Sequence, residues 1–188
     1  MRRVFSRLTP SVPQLTGICG AAPLLVGFGG ALRRSELVAL DVADIEETET
    51  GLLVKIRGSK TDQERPGVTI AIARGDVACP AKAVRAWLDT AGIEAGPILR
   101  PIDKGGTVRA SRLTDRSVVN IVKAYAGRAG FHASLFSGHS LRAGFPTSAA
   151  SNGASIFMDV SRHKSVDTLR SYIRDAELFK DHAGAGVL

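Results

Sequence analysis

Tyr172 follows His163 by nine residues in S-R-H-K-S-V-D-T-L-R-S-Y, and a tyrosine in this setting suggests nucleophilic chemistry. Further upstream, G-H-S-L-R-A-G carries His139 and Arg142, and A-L-R-R-S-E-L carries Arg33. A phenol is a weak nucleophile at neutral pH, so its target must be surrounded by cationic donors. Phosphate is the target that arginines and histidines suit best. The sequence therefore points to phosphoryl transfer.

The arginines suit the charge that develops during such a reaction. Attack on a phosphodiester places extra charge on the non-bridging oxygens of the phosphorus. Donors fixed around those oxygens beforehand lower the barrier, and removing one of them commonly costs about 10²- to 10³-fold in rate. Arg33 and Arg142 suit this task because a guanidinium stays charged and can hold two phosphate oxygens. Histidines can add hydrogen bonds, and a lysine can protonate the leaving oxygen.

The spacing of the histidines limits where each can lie. His139 and Arg142 are three residues apart, so both can lie on one face of a helix start, where backbone N–H groups favour an anion. A continuous helix turns through about 900° over nine residues, so His163 and Tyr172 would face opposite ways if both were helical. We therefore place an N-cap at Ser165, with His163 before the helix and Tyr172 in its second turn.

Each of these side chains has an ordinary alternative role when it is taken alone. Arg33 and Arg34 fit a solvated basic pair, since charge runs are usually found at the surface. His139 or His163 could cap a helix or lie in the core, and Tyr172 could pack against a neighbouring helix. The functional interpretation depends on their joint order in one chain.

The chain of 188 residues is basic, with 25 Lys and Arg against 18 Asp and Glu, a net charge of +7 and a pI near 9.9. Its surface field should attract polyanions, so nucleic acid is the first partner to test, although charge alone also fits a basic fold without such a ligand. The length and a hydrophobic content of 44% favour one core and one domain. We expect no small-molecule substrate.

The composition also bears on cofactors and location. Cys19 and Cys79 fit neither a disulfide framework nor a metal-ligand spacing, and they are typical of a reduced, cytoplasmic protein. The sequence has no phosphate-cradling glycine loop and no metal-ligand cluster. Residues 17–32 are apolar but interrupted by Gly and Pro and fall short of the ~20 residues of a membrane span, which predicts core. The basic start lacks the pattern of a secretory signal.

Apolar periodicity predicts an α+β domain that is mainly helical, with one small antiparallel sheet. Pro23 is predicted to mark the start of the first helix, and residues 33–40 have helical spacing. Residues 52–57 and 68–73 alternate in the manner of strands. The polar, turn-rich segment between them predicts a β-hairpin whose loop or adjoining strand end presents Lys60.

Capping signals predict the remaining helices. Pro80 should open a helix that ends near residue 91, and Thr114 should cap a helix that ends near residue 128. Another helix should follow His139. A short helix is predicted near 154–160, and the last one follows Ser165.

The order of these motifs resembles the tyrosine recombinases, or phage integrases, over residues 24–178. The matching motifs are A-L-R-R-S-E-L, a hairpin with S-K-T, H-S-L-R, and R-H-K-S followed nine residues after its histidine by tyrosine. The resemblance implies an integrase-like catalytic domain over residues 17–188, preceded by an irregular lead-in over 1–16. It also implies a site-specific recombinase that acts on double-stranded DNA. The implied site residues are Arg33, Lys60, His139, Arg142, His163 and Tyr172.

The resemblance assigns a role to each of these residues. Arg33 and Arg142 would clamp the scissile phosphate, and Lys60 would act as general acid toward the 5′ oxygen. Tyr172 would form a 3′-phosphotyrosyl link to DNA. Such enzymes need neither metal nor nucleotide, because the phosphotyrosyl bond keeps the energy of the broken phosphodiester.

The remaining implied roles concern support and assembly. His139 would assist proton movement, His163 would hydrogen-bond the phosphate, and Glu36 would support the first arginine. The active form would be several protomers on paired DNA sites, with the tail after Glu177 as a candidate for exchange between neighbours. The resemblance also implies that the protein is encoded by a mobile element.

Three features depart from the family pattern. Family members usually carry an additional N-terminal helical domain that closes a clamp around DNA, and here only the lead-in precedes the apolar segment. Pro146 lies in the helix expected after His139, where it should cost ~3 kcal/mol or produce a kink. The segment 154–162 is about two residues shorter than the resemblance implies, which in a helix is a rotation of about 200°.

These departures leave two alternatives to an active recombinase. The first is a truncated or degenerate integrase fragment that binds DNA without cleaving it. The second is a relaxing enzyme like the type IB topoisomerases, which use the same phosphotyrosine chemistry without pairing two sites.

Overall fold

The computed structural model describes residues 15–57 and 67–151. Helices and a small antiparallel sheet make up this part of the chain, which confirms the predicted α+β class. The elements are α1 (Leu15–Gly29), α2 (Arg34–Ala39), β1 (Ile45–Glu47), β2 (Gly51–Ile56), β3 (Val68–Ala73), α3 (Pro80–Ala91), α4 (Asp115–Arg128) and α5 (Ser140–Ser151). Short 3₁₀ turns occur at Val42–Asp44 and Ala133–Leu135.

The sheet consists of an antiparallel hairpin with one added strand, in the order β1-β2-β3. Val54 pairs with Ile45 on one side and with Ile70 on the other. Leu52 and Ile72 pair with each other on the same buried face, so alternation places the apolar side chains in the core. The predicted hairpin is confirmed, and β1 is a further strand that the sequence did not reveal.

Helix α1 lies in the core, and the prediction that Pro23 marks its start is wrong. The helix begins at Leu15, within the segment predicted as an irregular lead-in, and runs through Pro23 to Gly29. An internal proline costs ~3 kcal/mol. Burial of an apolar side chain contributes about 1.5–3 kcal/mol, and Leu24, Leu25 and Val26 are all buried, so packing outweighs the proline.

Helix α3 has the bounds that the sequence predicted, because both of its ends carry local signals. Pro80 occupies the first turn, and Gly92 ends the helix in the left-handed conformation at φ 61°. Trp87 is fully buried, and its indole N–H donates to the carbonyl of Ile98 at 2.5 Å. This bond joins α3 to the loop that leads toward α4.

Helix α4 begins at the predicted cap. The hydroxyl of Thr114 accepts a hydrogen bond from the backbone N–H of Ser117 at 3.2 Å, and the helix then runs from Asp115 to Arg128. Val118 and Val122 are buried against the core. The cap thus fixes where the apolar face of α4 starts.

We expect Thr114→Ala to lower the free energy of unfolding by about 1 kcal/mol, because the Ser117 N–H loses its partner. Urea unfolding at neutral pH measures this difference. Thr114→Ser is the matched control, because it keeps the accepting oxygen and should retain most of the stability. Equal destabilisation by serine and alanine would show that the methyl group, not the cap, matters.

No helix in the described ranges, 15–57 and 67–151, is both long enough and apolar enough to cross a membrane.

Candidate active site

Arg33 lies at the start of α2 and is the N-cap residue of that helix. Its side chain is 48% exposed, and its guanidinium Nη1 donates to Glu36 Oε1 at 2.6 Å. The backbone N–H of Arg33 donates to the other carboxylate oxygen of Glu36 at 2.8 Å. Glu36 therefore accepts hydrogen bonds from both the backbone and the guanidinium group of Arg33, while about half of the arginine side chain is exposed to solvent.

Arg142 approaches the same turn from α5. Its side chain is buried, with 8% of the residue exposed, and Nη1 donates to the carbonyl oxygen of Ala31 at 2.7 Å. Ala31 lies two residues before Arg33. The bond therefore joins two segments that are 111 residues apart in the sequence and brings the second predicted arginine to the turn that carries the first.

The carbonyl of Ala31 is aimed by an unusual backbone conformation. Ala31 has φ 45°, in the left-handed region that non-glycine residues seldom adopt. Backbone hydrogen bonds from Ala31 to Phe28 at 3.0 Å and from Leu32 to Gly27 at 2.9 Å hold this turn at the end of α1. A buried arginine needs hydrogen-bonding partners, and this carbonyl supplies one of them.

His139 precedes α5 and is exposed. The hydroxyl of Ser140 accepts from the backbone N–H of Ser137 at 2.8 Å, and the hydroxyl of Ser137 accepts from the backbone N–H of His139 at 3.2 Å. The helix that was expected after His139 is present and begins at Ser140. Its first turn has no acidic residue, so the N–H groups there keep their preference for an anion.

The turn that carries His139 contacts the start of α2 directly. A Cβ atom built on Gly138 would lie 2.1 Å from Cδ of Arg34, so the arginine side chain crosses the glycine backbone. Arg34 is the residue after Arg33, and Gly138 is the residue before His139. The structure therefore brings Arg33, His139 and Arg142 to one region, where the α1–α2 turn meets the start of α5.

Pro146 lies within α5, which continues past it to Ser151. Proline cannot donate to the carbonyl of Arg142, one turn earlier, yet the helix is not interrupted. Pro146 is buried, and the neighbouring Phe145 packs edge-on against Phe28 of α1 with ring centroids 5.8 Å apart. Packing of α5 on α1 thus offsets the lost hydrogen bond.

The other predicted site residues lie outside the described residues. They are Lys60, His163 and Tyr172. The helices predicted near 154–160 and after Ser165, and the shortened segment 154–162, lie outside as well.

An ion-pair network that the sequence did not reveal holds the other end of α2. Arg112 donates to the carbonyls of Val38 at 2.7 Å and Leu40 at 3.1 Å, and to Oδ1 of Asp41 at 2.6 Å. Arg57, at the end of β2, pairs with Oδ2 of Asp41 at 2.9 Å. Charges so far apart in the chain give no local spacing signal. The network ties the helix that begins beside Arg33 to the sheet.

The hydrogen bond from Arg112 lowers the pKa of the Asp41 carboxyl, partial burial opposes this, and Arg57 lowers the pKa further. A carboxyl with a lowered pKa in the folded state stabilises the fold above its unfolded pKa, and this contribution is lost as the pH falls through the folded pKa. We therefore expect Asp41→Asn to be less stable than the wild type at neutral pH. The difference should shrink below about pH 4.

Urea unfolding between about pH 7 and pH 3 tests this expectation. Asp89→Asn, which removes an exposed carboxylate on α3, controls for the change in net charge. A stability difference between Asp41→Asn and the wild type that is the same at every pH would contradict it.

Cys19 is not a candidate nucleophile. Cys19 is buried, and burial raises the pKa of its thiol to about 11, so it stays protonated at neutral pH. Cys19 is thus a small residue of the core. Within residues 15–57 and 67–151, no group of three or more His, Cys, Asp or Glu side chains could hold a metal ion.

Comparisons with known proteins agree with the motif order. Residues 14–178 match the Phage integrase family. The chain is 44% identical over 174 residues to an integrase/recombinase xerD homolog of Selenomonas ruminantium, which covers 90% of this chain and 51% of that protein. The chain thus spans about half the length of the curated relatives that it matches.

Solved structures share the fold. The crystal structure of XerA recombinase aligns with a TM-score of 0.68 at 19% identity, over 97% of this chain and 60% of that one. XerH site-specific recombinase, bound to palindromic difH substrate in a post-cleavage complex, aligns with a TM-score of 0.65 at 16% identity, over 91% and 46%. The family match over residues 14–178 shows that the chain belongs to the phage integrase family of tyrosine recombinases.

Proposed function

We propose that this chain is the catalytic part of a site-specific recombinase that breaks and rejoins DNA through a 3′-phosphotyrosyl intermediate at Tyr172. The observation that carries the proposal is the meeting of Arg142 with the turn of Arg33, through the 2.7 Å bond to the carbonyl of Ala31. Arginines brought to the junction of the α1–α2 turn with the start of α5 suit a phosphate ester.

The proposed reaction forms one bond to phosphorus and breaks another. The phenol oxygen of Tyr172 attacks the scissile phosphorus, and the bond from phosphorus to the 5′ oxygen breaks. Lys60 gives its proton to the departing 5′ oxygen, while Arg33 and Arg142 hold the non-bridging oxygens. Attack by a 5′ hydroxyl on the phosphotyrosyl bond reverses these steps and releases the tyrosine.

The histidines have supporting roles in this proposal. His163 donates a hydrogen bond to the phosphate, and His139 assists proton movement at the start of α5. An imidazole suits both tasks because it can donate or accept near neutral pH. Glu36 supports Arg33 through the 2.6 Å contact without taking part in the reaction.

Double-stranded DNA is the proposed partner. The net charge of +7 favours a polyanion, and XerH, a structural relative, has been solved bound to its difH substrate. We further propose a homo-oligomer on paired DNA sites, with the tail after Glu177 exchanged between neighbours. A cytoplasmic protein of a mobile element is the setting that fits this activity.

A covalent trap tests the proposal. The protein is incubated with nicked duplexes that tile the DNA flanking its own locus, so that a cleaved strand cannot be rejoined. Denaturing electrophoresis should show a protein–DNA adduct that Tyr172→Phe abolishes. Tyr125→Phe is the matched control, because it changes the second of the chain's two tyrosines and should leave the adduct in place. No adduct with any flanking duplex would reject the catalytic claim.

The position of Pro146 favours a second candidate, a degenerate chain that binds DNA without cleaving it. The proline lies in α5 one turn beyond Arg142 and removes the hydrogen bond to that arginine's carbonyl. If this candidate holds, the wild type gives no adduct and Pro146→Ala restores one.

Relaxation of supercoiled plasmid without pairing of two sites would instead favour activity like that of the type IB topoisomerases.

A further inference from the structure

The side chain of Arg34 crosses the backbone of Gly138. It occupies the space that a side chain at position 138 would need. A Cβ built on Gly138 would lie 2.1 Å from both Cδ and Nε of Arg34, and 2.7 Å from Cζ. Any larger residue at this position would displace the arginine. The contact joins the first residue of α2 to the turn before α5.

Both ends of this contact adjoin proposed catalytic residues. Arg34 follows Arg33, and Gly138 precedes His139. The turn at Gly138 is held from within by hydrogen bonds between Ser137 and Ser140, including the 2.8 Å bond from the Ser137 N–H. These bonds tie the turn to the first residue of α5, so a shift of the turn relative to α2 moves His139 with it.

The ion pair of Arg34 does not explain its placement. Its Nη1 lies 3.7 Å from Oδ2 of Asp115, and the two side chains are 33% and 56% exposed. An exposed pair at that distance contributes about 0–1 kcal/mol. The side chain of Arg34 also lies where a Cβ of residue 138 would be, so it packs against the backbone of the turn. Together with the bond from Arg142 to Ala31, this packing locates the turn relative to α2.

We propose that Arg34 is a positioning residue for the recombination reaction. Its side chain sets the distance between the start of α2, with Arg33, and the turn that carries His139 into α5. Arg34 acts through that turn and does not touch the reacting phosphate. The inference rests on the proposed function, because Arg34 is proposed to position the residues that would bind the phosphate.

A cycle of Arg34→Ala, Gly138→Ala and the double variant tests the contact. Single-turnover formation of the Tyr172 adduct is measured on the nicked duplex. Each single variant should slow it by about 10- to 100-fold, since a displacement of about 1 Å near a reacting group can cost that much. The double variant should be no slower than either single one, because alanine at 138 displaces an arginine that is already gone.

Further readouts separate positioning from a purely structural role. DNA affinity and the urea midpoint should stay close to those of the wild type. In a His139→Ala background, Arg34→Ala should cost no more than about twofold, since an effect that acts through His139 has already been removed. Arg85→Ala is the matched control, because it removes one positive charge and the exposed ion pair between Arg85 and Glu47 at 2.5 Å. This variant should leave the cleavage rate unchanged.

Three results would overturn the inference. Cleavage by Arg34→Ala at the wild-type rate would do so, as would single-variant losses that multiply in the double variant. A loss explained by weaker DNA binding with a shallower salt dependence would instead make Arg34 a phosphate contact.

Failure of the proposed function gives a different pattern. The wild type then forms no Tyr172-dependent adduct at all. In that case backbone NMR still tests the geometry: the amide signals of His139 and Ser140 should shift alike in Arg34→Ala and in Gly138→Ala, and unshifted signals would overturn the positioning role.

Discussion

Arg142→Ala should slow adduct formation by about 10²- to 10³-fold, because the phosphate loses a preorganised donor. The same change should lower the free energy of unfolding by about 1–3 kcal/mol, because the carbonyl of Ala31 loses a buried partner. Both effects follow from one side chain that is buried at the junction of α5 with the α1–α2 turn. Single-turnover trapping measures the first effect, and urea unfolding measures the second.

Arg142→Lys is the conservative control. Lysine keeps the charge but is a point donor, so it cannot hold a backbone carbonyl and a phosphate in the forked geometry of a guanidinium. We expect its cleavage rate to lie between those of the wild type and the alanine variant. If Arg142→Ala is destabilised but cleaves at the wild-type rate under conditions where it is fully folded, the arginine is structural only.

Arg33→Ala should slow cleavage as much as Arg142→Ala, about 10²- to 10³-fold, with little loss of stability. Its side chain is 48% exposed, and an exposed ion pair such as that with Glu36 contributes about 0–1 kcal/mol. The two alanine variants should therefore have similar cleavage rates, but only Arg142→Ala should have a clearly lower free energy of unfolding. The same trapping and unfolding measurements apply.

Glu36→Gln is the matched change for this second prediction. The amide keeps an oxygen that can accept from the backbone N–H of Arg33, while the charge that holds the guanidinium is lost. A supporting role predicts a rate loss of roughly tenfold or less, well short of that for a missing transition-state donor. A loss as large as that of Arg33→Ala, with unchanged stability, would make Glu36 a direct participant.

The elements that could be predicted from the sequence are those with local signals. Pro80 and Gly92 bracket α3, and Thr114 starts α4, because each acts on its own turn of backbone. The hairpin followed from alternation in two separate runs. Strand β1 did not, because Ile45–Glu47 is too short to show a period.

The error at Pro23 has a tertiary cause. Proline is a strong local signal for a helix start, and the sequence offers no sign that it is overridden. The helix is packed against α3, α4 and α5, so the burial of its neighbours decides the outcome. Such packing is known only once the fold is known.

For the candidate site, too, some features could be predicted from the sequence and others could not. The order of motifs predicts Arg33, His139 and Arg142 as site residues, and the family match confirms the resemblance on which this prediction rests. Sequence could not reveal the contacts that place them. The bond from Arg142 to Ala31 spans 111 residues, and the pair between Arg112 and Asp41 spans 71. Neither carries a periodic or local signal.

The central claim is that Arg33 and Arg142 act on the charge of one phosphate. Replacing the scissile phosphate by a methylphosphonate removes the charge of a non-bridging oxygen, and adduct formation can then be compared for the wild type and each arginine-to-alanine variant. We predict that the deficit of both variants shrinks by about tenfold or more on the neutral linkage, since the charge that the guanidinium neutralised is gone. Deficits that are the same on both linkages would contradict the account.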